Sequence, residues 1–158
     1  MESISFRFPK LPVSVNRLYI YRGGRKILSP AGRAYRNEFI SKCGGISQAE
    51  LMRFSANKES AYQIHIWYYI PFERLYNIRY GSDKRVASPF ADIDVDNMAK
   101  LIIDCIARLV GIRDKNNFTV CLHKREAQAN EEVIAKLLPI NLEDDPYPIE
   151  HIQGGSNG

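Results

Sequence analysis

The stretch Asp92-Ile93-Asp94-Val95-Asp96-Asn97-Met98-Ala99-Lys100 gathers the residue types that phosphoryl chemistry uses. In an extended chain alternate residues share a face, so Asp92, Asp94 and Asp96 stand on one side in steps of about 7 Å. Like charges that close repel unless a cation compensates, and hard carboxylate oxygens suit Mg²⁺ or Mn²⁺. Mg²⁺ keeps several waters and takes one or two carboxylates together with a substrate phosphate. Lys100 lies four residues beyond Asp96, so on a helix the two share a face. A cation there can contact a phosphate or balance developing charge. A structural account competes with this chemistry. Asp96 and Asn97 sit where the N-cap of the following helix is expected, and Lys100 paired with Asp96 or Asp104 would be an ordinary surface ion pair worth about 0.3–0.5 kcal/mol. Asp104, within reach of Lys100 and Arg108, reads as structural.

Other site chemistries find less support. His65, His123 and His151 have no ligand spacing among them, so no zinc site is assigned. Cys43, Cys105 and Cys121 are odd in number and lack a C-x-x-C pair, which points to a reducing, cytoplasmic setting. No apolar run approaches the roughly 18 residues of a membrane span, and the N-terminus has no signal-peptide pattern. The formal charge is only +4, but it is unevenly spread: from Glu131 onward there are six acids and one Lys, leaving residues 1–130 at +9. Between Arg7 and Arg36 there are eight Lys/Arg and no acid. That distribution suits a polyanionic partner, and equally a basic face that serves only solubility.

The elements that position these residues belong to one domain. A chain of 158 residues with 45% apolar and 25% charged content can build its own core. Ile4, Phe6 and Phe8 at period two predict a strand closed by Pro9. Gly23-Gly24 predicts a hairpin turn between Leu18–Tyr21 and Lys26–Leu28. Ser29-Pro30 predicts a helix start, with Ala31, Tyr35, Phe39 and Cys43 as its apolar stripe and Gly44-Gly45 as its stop. Ile64, Ile66, Tyr68 and Ile70 face one way along a second strand, and His65 and Trp67 the other. Residues 71–90 read as a long loop of the functional or mobile kind. Met98, Leu101, Ile102, Cys105, Ile106, Leu109 and Val110 predict a helix over Asn97–Val110 ending at Gly111. Phe118, Val120 and Leu122 predict a third strand, and Val133–Leu138, after a turn near Gln128-Ala-Asn130, a fourth. The expected fold is α+β, a small mixed sheet with two main helices against it. Residues 1–140 form the domain, and 141–158 an acidic, loosely ordered tail.

The pattern Asp94-x-Asp96-Asn97-x-x-Lys100-x-x-x-Asp104, followed by Gly111 and a further Asp, resembles the RusA family of Holliday-junction resolvases. So do Pro12-Val-Ser14-Val-Asn16-Arg17, Tyr19, the Gly23-Gly24-Arg25 turn and Leu28-Ser29-x-x-Gly32-Arg33-x-Tyr35-Arg36. The matches run from about Ile4 to Leu138. The resemblance implies a RusA-like fold and a homodimeric, Mg²⁺-dependent endodeoxyribonuclease that resolves four-way DNA junctions by paired symmetric nicks, in recombination and repair. It also implies products with 5′-phosphates, and neither a nucleotide cofactor nor a membrane. Asp94, Asp96 and a third aspartate after the helix would be the metal-binding acids, with Lys100 the catalytic lysine. The family usually shows two adjacent aspartates after the glycine, whereas this chain reads Gly111-Ile-Arg-Asp114-Lys115-Asn116-Asn117. Alignment on the following strand puts Asp114 at the third position; counting from Gly111 puts Asn116 there. Asn16, Arg17, Arg25, Lys26, Arg33 and Arg36 become candidates for DNA contact, with Arg74, Arg79, Lys84 and Arg85 behind them. Tyr19, Tyr76 and Tyr80 are candidates to stack on unpaired bases. The alternative is a cleavage-dead relative acting as a junction or DNA-binding module.

Overall fold

The hydrophobic periods of the first, second and fourth predicted strands translate into a sheet with one packed face, whereas on the third Val120 is exposed and Leu122 only half-buried. A computed structural model describes residues 3–13, 18–54 and 60–141 of the chain. Strands β1 (Ile4–Phe8), β4 (Ala61–Ile70), β5 (Asn117–Glu126) and β6 (Glu132–Ile140) form a mixed sheet in the order β1-β6-β4-β5. Both β1 and β4 run antiparallel to β6, and β5 runs parallel to β4. The register stacks the apolar positions in rows across the sheet: Phe6, Ala135, Ile66 and Leu122 form one, and Ile4, Leu137, Ile64 and Val120 the next. β2 (Tyr19–Arg22) and β3 (Arg25–Leu28) make a separate hairpin whose Gly23 and Gly24 have φ of 56° and 74°, the left-handed region in which glycine is unstrained.

Helix α1 (Pro30–Ser41) begins as expected, with the Ser29 hydroxyl accepting from the Gly32 amide at 3.0 Å. Its buried face differs from the expected one. Ala31 is exposed, and the stripe is Gly32, Tyr35 and Phe39, while Cys43 lies past the helix in a 3-10 turn over Cys43–Gly45. Gly32 is there because a Cβ on it would come within 2.7 Å of Leu28 Cδ1 and 3.0 Å of the Leu18 carbonyl oxygen. Short helices α2 (Gln48–Arg53) and α3 (Phe72–Leu75) follow.

Helix α4 (Val95–Val110) carries the strongest apolar stripe, burying Met98, Leu101, Ile102, Cys105 and Ile106 against the sheet. It stops at Gly111, which has φ 75°. All three cysteines are free thiols; burial in this core pushes the Cys105 thiol up to about 12. The helix starts two residues earlier than the sequence suggests. Asp94 takes the N-cap place, and Asp96 and Asn97 fall in the first turn. α4 connects β4 to its parallel neighbour β5, so it runs back from the end of β4 to its beginning, where Asn117 pairs with Tyr62. At about 1.5 Å per residue its 16 residues span about 24 Å. The long loop is narrowed at its neck: Asn77 N donates to Pro89 O (2.8 Å) and Ala91 N to Leu75 O (3.0 Å). The two bonds flank a bridge between Tyr76 and Phe90. The expected acidic tail, apart from Asn141, lies outside the described residues.

Candidate active site at the start of helix α4

Asp92 and Asp94 lie on the irregular segment leaving the loop neck, and Asp96 on the first turn of α4; all three are exposed. The extended-chain geometry therefore holds for Asp92 and Asp94 only, because the helix rotates Asp96 away from their alternation. The capping account of these acids fails. Asp94 sits at the N-cap, yet its side chain accepts no backbone amide and takes a hydrogen bond from the Asn97 amide nitrogen instead. Asp96 and Lys100 stay on one helix face, and among the described residues neither makes an ion pair. Among the described residues, two carboxylates and a cation are thus held at the solvent edge with neither a backbone amide to cap nor an ion pair. The helix dipole favours the carboxylates in that position, by about 0.3–1 kcal/mol each.

Beneath them lies a group the sequence reading missed. Tyr68, on the packed face of β4, is fully buried, and its hydroxyl has no hydrogen-bond partner among the described residues. Burial, and secondarily the charge of Asp96, raises its pKa. Alternation marks Tyr68 as core, and nothing in the sequence distinguishes its hydroxyl. At the loop neck Tyr76 is caught between Phe72 and Phe90, with ring centroids 5.0 and 6.3 Å away. Phe72 and Phe90 are half or more exposed, as is Tyr80 farther out on the loop.

The donor set fits a hard cation: Asp94 and Asp96 offer carboxylate oxygens, the number that Mg²⁺ takes when phosphate and water complete its shell. Among the described residues no three His, Cys, Asp or Glu side chains come together. The backbone of Asp114 belongs to a 3-10 turn over Asp114–Asn116, past the far end of α4 and about 24 Å from Asp94 by the length of the helix. Asn116 has a different occupation. It is 5% exposed, its Oδ1 accepts from Arg113 N (3.1 Å), and its Nδ2 donates to Ser60 O (3.0 Å). Its amide ties the start of β5 to the start of β4. Asn116→Ala is expected to cost about 1–3 kcal/mol, lowering the melting temperature by roughly 2–4 °C per kcal/mol; calorimetry showing no change would remove this structural role.

The basic candidates separate into two groups. Arg25, Lys26 and Arg33 are exposed on the hairpin and α1, with Lys26 Nζ 4.6 Å from the centre of the Tyr19 ring. Arg36 is half-buried, and with Lys100 it lines a cavity between the hairpin and α4. Asn16 and Arg17 lie outside the described residues. The loop cations are mostly occupied: Arg74 pairs with Glu131 (2.7 Å), and Asp83 holds Arg85 (3.0 Å) and Arg79 (3.8 Å). On the outer face of the sheet, the parallel pairing of β4 and β5 stacks His65, Trp67 and His123, with His65 Nδ1 3.4 Å from His123 Nε2. Sequence spacing conceals this neighbourhood, because the two histidines are 58 positions apart.

Among the described residues no helix is long and apolar enough to cross a membrane. A scan against protein-family models and a search of curated proteins each found no match.

Proposed function

We propose that this chain is a Mg²⁺-dependent endodeoxyribonuclease that resolves four-way DNA junctions by paired nicks, as a homodimer, in recombination and repair. The observation that carries the reading is the pair Asp94 and Asp96 with Lys100, set at an exposed helix start with no side-chain cap bond and no ion pair among the described residues. Asp94 and Asp96 would hold the ion, which when bound supplies an activated water and neutralises phosphate charge. Lys100 contacts a non-bridging oxygen of the scissile phosphate and balances the charge that builds there. The Asn97 amide orients the Asp94 carboxylate. Hydrolysis with the 3′-oxygen leaving yields a 5′-phosphate.

The separation of Asp114 from Asp94 shapes the dimer. On this reading the third acid of each site is Asp114 of the partner subunit, because the length of α4 keeps the two apart within one chain. A two-fold axis then generates two sites for two opposed strands. Arg25, Lys26, Arg33 and Arg36 meet backbone phosphates. Replacing Arg33 and Arg36 together is expected to flatten the slope of log K against log salt by up to about two units, at roughly −0.9 per phosphate contact. An unchanged slope in a salt titration would place both arginines off the DNA.

The same separation is the observation that favours a second reading, a junction-binding module that does not cut. A synthetic four-way junction incubated with and without Mg²⁺ decides: paired nicks support the nuclease, and binding without nicks the module.

A further inference from the structure

The cavity between the β2–β3 hairpin and α4 has a volume of about 350 Å³. Its charged walls are Arg36 from α1 and Lys100, Asp104 and Arg108 from α4, three cations against one acid. Its apolar wall includes Leu28, Leu101 and Ile112. Tyr19 and Leu28, which face each other across the hairpin, close the side away from α4. Two polar atoms on this lining, the Tyr19 hydroxyl and Arg36 Nε, are buried with no hydrogen-bond partner among the described residues. Buried donors are almost always satisfied, so both lack an acceptor among the described residues, although burial, and then the nearby charge of Asp104, raises the Tyr19 pKa.

We propose that this cavity binds one phosphate-bearing nucleotide unit. Phosphate oxygens supply what the Arg36 Nε–H and the Tyr19 O–H lack, and Arg108 neutralises the charge. A phosphate alone fills a small part of the volume, and the apolar wall suits the sugar and base attached to it. Lys100 and Arg108 are eight residues apart, about 12 Å along the helix, so the cavity starts at the lysine of the acidic site and leads away from it. Two sources offer this chemistry: a nucleotide within a DNA strand lying along α4, and a free nucleotide. The strand source rests on the nuclease reading; the cavity's affinity for a nucleotide phosphate does not.

The test is amide NMR of the full chain without Mg²⁺, titrated with thymidine 5′-monophosphate, thymidine, and a short single-stranded oligonucleotide. Thymidine 5′-monophosphate is expected to shift the amides of Tyr19, Leu28, Leu101 and Ile112, whereas thymidine leaves them in place. Arg108→Gln, an exposed change, is expected to weaken binding on the order of tenfold, and Tyr19→Phe, which keeps the ring, several-fold. Oligonucleotide shifts at the same amides assign the site to a DNA strand; shifts with the monophosphate only assign it to a free nucleotide. If neither ligand moves these amides, or if both variants bind as the wild type does, the cavity is merely hydrated and the proposal falls. Junction nicking by the same samples separates the two ideas: nucleotide binding without nicking overturns the nuclease alone, and nicking without cavity shifts overturns the cavity alone.

Discussion

Asp94→Asn and Asp96→Asn are each expected to bind a four-way junction at least as tightly as the wild-type chain while losing on the order of 10³-fold or more in Mg²⁺-dependent nicking. The binding half follows from exposure: both carboxylates face solvent, where they repel phosphate, and an amide of the same shape removes that repulsion. The cutting half follows from charge, since a neutral amide cannot hold the ion. Stability separates this from damage to the fold. Asn is a good N-cap and Asp94 caps no backbone amide, so Asp94→Asn should give up only its interaction with the helix dipole, about 0.3–1 kcal/mol. Asp96→Asn gives up a first-turn interaction of about 0.3–1 kcal/mol. Nicking retained in either variant, measured at saturating protein on a labelled junction, would remove these acids from the chemistry.

The second large effect is a rescue. Asp114→Asn alone is expected to abolish cutting as Asp94→Asn does. Mixing the two inactive variants and letting subunits exchange should restore it, because each mixed dimer holds one site with Asp94, Asp96 and Asp114 of the partner subunit all intact. Half the dimers are mixed and each has one working site of two, so about a quarter of the wild-type sites return. The products are single nicks rather than paired ones. A mixture that stays inactive would place all three acids in one chain or end the composite site. Full activity of Asp114→Asn by itself would leave Asp114 as a turn residue.

The elements that position this site were legible wherever one period ran long enough. Alternation marks β1 and β4, and the 3-4 spacing from Met98 to Val110 marks α4 up to its glycine stop. The start of α4 was not legible to the residue, since Asp94, Asp96 and Asn97 are all good cap residues and only packing of the helix chooses among them. α2 has a capping box in Ser47 and Glu50 but only six residues, too few to display a period. The stripe of α1 was misjudged at Ala31 because an apolar residue type outweighed the glycine that the hairpin contact demands. Lys100 and Asp96 share a helix face as their spacing said. The cavity was invisible, because Tyr19, Arg36 and Arg108 come from three elements whose meeting is a matter of tertiary packing. So was the distance to Asp114: a motif read along the chain says that an acid follows the helix, but not that the helix carries it to the opposite end of β4.

The most direct measurement of the central claim is strand cleavage of a four-way junction with each strand separately end-labelled, with Mg²⁺ or with chelator, followed by DNA ligase. Mg²⁺-dependent nicks are expected at symmetric positions in two opposed strands, absent with chelator and sealed by ligase because their ends are 5′-phosphate and 3′-hydroxyl. A chain that binds the junction but leaves all four strands whole in Mg²⁺, or that nicks equally in chelator, contradicts it.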